Sequence, residues 1–112
     1  MKVNPKTMGW AAPTTNEDGT AITYELNYEV GVRSGENPTG DYDPIVTIPG
    51  QLRDGGRYEA PISDLPLDFG RHEIVLRAFA KDDPDRMSAW SPPVAFVLSA
   101  EKPSAPKGLQ VT

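Results

Sequence analysis

The sequence predicts an all-β chain folded as an antiparallel β-sandwich. Three observations predict it. Twelve Pro and ten Gly are interleaved with apolar segments along 112 residues, a density of breaks that suits short strands and turns rather than long helices. Apolar and polar residues alternate with period two in several segments, the signature of a strand with one buried face. No segment places its apolar residues at helical spacing behind a capping residue. About six strands at this spacing make a sandwich, and a chain of this length suits one core.

The elements follow in order. Lys6 to Ala11 reads as a short strand, ended by Pro13. Thr14 to Thr20 reads as a turn, with Asp18-Gly19 as its local signal because Gly tolerates positive φ. From Ala21 to Arg33, Ile22, Tyr24, Leu26, Tyr28, Val30 and Val32 share one parity, and polar residues hold most of the other, so a half-buried strand is expected across the run. Ser34 to Asp43 is a loop, Ile45 to Ile48 a strand closed by Pro49-Gly50, and Gln51 to Gly56 a turn. Arg57 to Ile62 alternates again, with Tyr58, Ala60 and Ile62 on one side. Asp64 to Gly70 turns a corner into a strand from Arg71 to Ala80, with His72, Ile74, Leu76, Ala78 and Ala80 facing one way. Lys81 to Arg86 is an acidic tip. Ser88 to Leu98 is the last long strand, kinked at Pro92-Pro93; proline cannot donate to a ladder, so an edge position is expected there. Residues 1–100 thus form the sandwich, and 101–112 a Pro-rich linker with a strand-like tail, Lys107 to Thr112. The expected core holds Trp10, Tyr28, Val30, Ile74, Leu76 and Ala78.

Charge and composition exclude several function classes. The net charge is −5 and the pI about 4.7, with 11 Lys and Arg scattered along the chain. A nucleic-acid binder needs a basic stripe to neutralise phosphates, so no nucleic-acid partner is expected. An anionic membrane surface would repel the chain, and no stretch approaches the roughly 20 apolar residues of a bilayer span. The opening Met1-Lys2-Val3-Asn4-Pro5 leads directly into polar, strand-like sequence, so no secretory leader is expected. The absence of cysteine removes disulfides, thiolate zinc sites and cysteine nucleophiles together.

The remaining chemistry-bearing residues form no catalytic or metal set. His72 is the sole histidine and is expected to serve structure at the corner. Asp82, Asp83 and Asp85 are interrupted by Pro84 and match no EF-hand spacing, so a solvated tip is expected and not a calcium site. No G-x-S-x-G marks a nucleophile, and paired carboxylates for glycoside hydrolysis need a cleft that small sandwiches seldom provide. Asn37-Pro38-Thr39 has proline at its centre and cannot accept a glycan, and Arg53-Asp54-Gly55 has the wrong order for the integrin tripeptide. We therefore expect no enzyme, no cofactor and no metal. Three features point to partners instead. Val75 and Phe79 are apolar on the strand face opposite Ile74, Leu76 and Ala78, where a sandwich is normally polar, and either mark a partner surface or lie under neighbouring side chains. Trp90, within Ser88-Ala89-Trp90-Ser91-Pro92, could stack on a sugar or partner, but capping the open end of the core is the favoured reading. Leu109 and Val111 alternate as in a strand.

Together these segments resemble the fibronectin type III family. Trp10, then Ala-Pro, then a DG turn, then a strand with Tyr28 and Val30 resembles its strands B and C. Leu65-Pro66 followed by His72-x-Ile74-x-Leu76-x-Ala78 looks like its E–F corner and strand F, and Ser88-Ala89-Trp90-Ser91-Pro92-Pro93 like the start of strand G. The resemblance covers Lys6 to Leu98. Two departures stand out. His72 occupies the corner where the family usually has Tyr, and the N-terminal strand A looks missing, while a matching pattern, Pro103-Ser104-Ala105-Pro106-Lys107-Gly108-Leu109-Gln110-Val111-Thr112, stands at the other end. The run Trp10 to Gly19 further resembles small fibronectin-type proteins of bacteriophages and of bacterial secreted proteins.

The resemblance implies a binding module. The first expectation is a virion accessory protein, a decoration or tail component, bound to capsid or tail subunits or to itself through its C-terminal tail. The second is a carbohydrate- or cell-surface-binding module of a bacterial secreted protein, extracellular or on the bacterial surface. Termini in this family lie at opposite poles, about 30 Å apart. Residues Ala100 to Pro106 reach at most roughly 23 Å extended, so donation of the tail to another subunit, head to tail onto the exposed edge of the Trp10 strand, is expected over self-completion.

Overall fold

A computed structural model describes residues 1–34, 40–49 and 57–112 of the chain. The turn at Gln51 to Gly56, most of the loop after Ser34, and the Asn37-Pro38-Thr39 and Arg53-Asp54-Gly55 tripeptides lie outside the described residues. The described residues are mostly β-strand, in two sheets, with almost no helix. The strands are β1 (Lys2–Val3), β2 (Thr7–Ala11), β3 (Leu26–Ser34), β4 (Asp43–Pro49), β5 (Arg57–Pro61), β6 (Gly70–Ala80), β7 (Asp83–Met87) and β8 (Val94–Leu98), with one 3-10 turn at Ile62–Asp64. The larger sheet runs β1-β8-β6-β3-β4, with β7 also on β6; the smaller is β2-β5.

The period-two segments form strands for the expected reason. On β3, Leu26, Tyr28, Val30 and Val32 point into the core, and their neighbours across the ladder, Ala80, Ala78, Leu76 and Ile74 of β6, share that face. Val30, Val32, Ile62, Leu65, Ile74 and Phe96 make one buried cluster, on which Met8, Leu76 and Leu98 pack. Burying each such side chain is worth about 1.5–3 kcal/mol. The smaller sheet meets the larger through rings: Trp10 stands edge-on to Tyr28 at 5.2 Å and stacks on Tyr58 at 6.0 Å. Of the expected core residues, Tyr28, Val30 and Ile74 are buried, while Trp10, Leu76 and Ala78 are half-buried.

Four local expectations are corrected. Ala21 to Glu25 does not extend β3. Ala21 bridges back to Thr15 and Ile22 N–H donates to the Thr14 carbonyl, so local pairing across the Asp18-Gly19 turn takes these backbone groups. Asp83 to Met87, placed in and beyond the acidic tip, is a strand on β6, because Lys81-Asp82 alone makes the turn. Ser88 to Leu98 is not one strand: the ladder stops before the prolines and resumes at Val94 as β8, which lies between β1 and β6. A strand precedes β2 where none was read: Lys2 and Val3 pair in parallel with Phe96 and Val97, on the larger sheet and not beside β2.

That pairing also corrects the placement of the termini at opposite poles. Asn4 N–H donates to the Val97 carbonyl at 2.8 Å, its side-chain amide donates to the Ser99 carbonyl, and Ser99 N–H returns a bond to Asn4 Oδ1 at 2.9 Å. The N-terminal strand and the root of the tail are therefore side by side.

Candidate partner-binding site

The strand β2 has one paired edge. Ile62 N–H donates to the Lys6 carbonyl at 2.9 Å, which makes Lys6 and Ile62 a hydrogen-bonded pair of the β2-β5 ladder. In an antiparallel ladder such pairs alternate. Met8–Ala60 and Trp10–Tyr58 are then the next bonded pairs in the register. The alternate pair Thr7–Pro61 fits this phase, because Pro61 has no N–H to give. The N–H and C=O groups of Thr7, Gly9 and Ala11 consequently point away from β5. Among the described residues no strand lies on that edge.

Beside this edge runs an apolar groove of about 410 Å³. Its floor is Trp10, Met8, Ile62, Ile74, Leu76 and Phe96, and its far wall is Pro92, Val94 and Ala95. The core is thus uncovered where the two sheets part. Trp10 Nε1 is buried with no acceptor among the described residues, a state that costs about 1–3 kcal/mol.

The outer face of the larger sheet is covered by its own side chains. Ser88 and Ser91 take the place of ladder residues in the break between β7 and β8. Each amide donates to a β6 carbonyl, Ser88 to Ala78 and Ser91 to Leu76, and each hydroxyl accepts from the same β6 residue's N–H at 2.9 Å. Trp90 is thereby laid across the sheet. Its benzo edge sits over Gly31 and the Arg77 guanidinium lies 3.9 Å from its ring centroid. Tyr42 stands at 6.4 Å, with Arg33 over its own ring. Glu29 holds Arg77 and Glu73 holds Arg33.

This geometry locates each expected residue. Trp90 does not cap the open end of the core; the serine bonds put it on the opposite side of the sheet. Val75 faces outward as expected but is only 3% exposed, beneath Trp90, so it offers no surface to a partner. Phe79 is half-buried in a more polar hollow with Tyr24, Arg86 and Met87. Leu109 and Val111 are 94% and 96% exposed on a segment with no secondary structure, and neither meets Trp90 or Phe79. His72 is buried: its Nε2 donates to the Asp68 carbonyl at 2.7 Å, which leaves Nδ1 to accept from the Ser34 hydroxyl at 2.6 Å. The imidazole ties β3 to the corner loop from within the core. Asp82, in the turn, and Asp83 and Asp85, on β7, are all exposed. The free edge of β2 is the edge that the resemblance implied would take the tail; the groove beside it was missed from sequence, because it is lined jointly by β2, β6 and β8, which are distant in the chain. The chain matches no protein-family model, no curated protein and no solved structure.

Proposed function

We propose that the two sheets are the halves of a fibronectin-III-like antiparallel β-sandwich, and that the chain is a non-enzymatic structural and interaction module. It binds other protein subunits by taking an extended strand onto the free edge of β2. One observation carries this reading: an unpaired strand edge lies beside an apolar groove open to the core. Either feature alone is a liability for a soluble domain; together they accept a strand that satisfies backbone groups and buries alternate side chains. The setting we propose is a virion, at capsid or tail, on the resemblance of the run Trp10 to Gly19.

The glycan-binding alternative is less favoured. A sugar ring stacks on a free aromatic face, and Trp90 has Arg77 against its ring and Gly31 under its edge. The test is quantitative mass spectrometry of gradient-purified particles from the source. The chain is expected to co-band with particles at a fixed copy number. Recovery only as free protein, or on the cell surface, would overturn the virion setting.

A further inference from the structure

The occupant of the groove can be named, on the reading that β2 accepts a strand. We propose that it is residues 107–112 of a second copy of this chain, added antiparallel to β2 with Leu109 opposite Trp10 and Val111 opposite Met8. Directly opposed residues in a ladder share a face. This register therefore sends Leu109 and Val111 into the groove and leaves Gln110 and Thr112 outside. It also sets Gln110 against Gly9 and Thr112 against Thr7, the residues whose backbone groups point outward.

Three observations select this segment. It alternates apolar and polar with the same period as β2. Its two apolar residues are more exposed than any other large hydrophobic residue among those described. Residues 107–112 carry one charged side chain, Lys107, which in this register falls opposite Ala12, beyond the groove lining, so no charge enters the apolar floor. A second copy is favoured over the same copy by direction. The tail leaves at Ser99, held by Asn4 close to the Thr7 end of β2, whereas an antiparallel strand must enter at the Ala11 end. The contact is head-to-tail, so repetition builds a ring or an open filament.

Complementation tests it. Sedimentation and light scattering over a concentration series are measured for the full chain, for L109D/V111D, and for T7P/A11P. The first variant spoils the donated strand at fully exposed positions. The second removes two outward N–H groups from the edge without touching the β2-β5 bonds. Hydrogen exchange of β6 amides verifies that each remains folded; if T7P/A11P does not, A11P alone replaces it. The full chain is expected to associate with rising concentration, each variant alone to remain monomeric, and an equimolar mixture of the two to give a 1:1 dimer and nothing larger. A full chain that stays monomeric throughout, whether its tail is free or folded back, overturns the proposal. So does association of L109D/V111D equal to that of the full chain. The particle assay separates this from the broader reading: L109D/V111D that still co-bands with particles, from a full chain that never self-associates, sinks the proposal and leaves the module reading standing.

Discussion

Gly31 lies where β3 passes under Trp90, and its missing side chain makes the outer-face packing possible. A Cβ there would stand 2.8 Å from Trp90 Cη2 and 3.0 Å from Val75 Cγ2. Trp90 cannot swing aside freely, because Ser88 and Ser91 fix its backbone and Arg77 lies on its ring. Gly31→Ala is expected to destabilise by about 1–3 kcal/mol in urea unfolding. That exceeds the roughly 0.4–1 kcal/mol that Gly→Ala returns through the unfolded chain. The cost should largely disappear in a Trp90→Ala background, and a full cost there would mean that Trp90 is not the obstacle. At the tip of the early turn, Thr20 donates to Asp18 through its hydroxyl and its amide, and these bonds hold the Asp18 carboxyl below its ordinary value of 3.8. A depressed carboxylate stabilises the fold above its unfolded pKa and loses that contribution as pH falls through the folded value. An NMR titration of Asp18 should therefore have its midpoint below 3.8, and Thr20→Val should raise it.

At the scale of elements, the phase of β2 is directly measurable. Amide exchange in the isolated monomer should be slow at Met8 and Trp10 and fast at Thr7, Gly9 and Ala11. Equal protection of Gly9 and Met8 would mean that the edge is already covered. This scale also separates what was legible in the sequence from what was not. Strands β3, β5 and β6 could be read because each buries one face, and that face imprints period two on the residues: Tyr28 and Val30, Tyr58 and Ala60, Ile74 and Ala80. The break at Ser88 to Pro93 was misread because serine bonds replace the ladder there, and hydroxyl pairing leaves no periodic mark. Val75 was legible as outward-facing, with burial as one of two readings; what covers it could not be read, since the cover comes from Trp90, fifteen residues on. The groove could not be read at all. It exists because the fold brings β2 and β8 near each other, whereas the missing strand A and the alternation of Leu109 and Val111 were both plain in the sequence.

For the whole molecule, the tail dominates the dimensions. The radius of gyration is 18.4 Å and the extents are 68 × 36 × 20 Å, against about 13 Å for a compact chain of this length. X-ray scattering at low concentration should return a value close to 18.4 Å, and removal of residues 101–112 should bring it toward the compact figure. A small value for the full chain would show the tail folded back on its own domain. The clasp of Asn4 with Ser99 bears on a different property, resistance to pulling. Because β1 and β8 run parallel, tension drawn between the start of the chain and the tail acts along both strands in opposite senses. The β1-β8 bonds and the Asn4–Ser99 bonds then share the load at once, as in a lap joint, instead of opening one after another like a zip. A subunit held in an assembly by its tail, and tethered at its other end, would carry mechanical strain at this joint first, with the core behind it unloaded until the joint gives way.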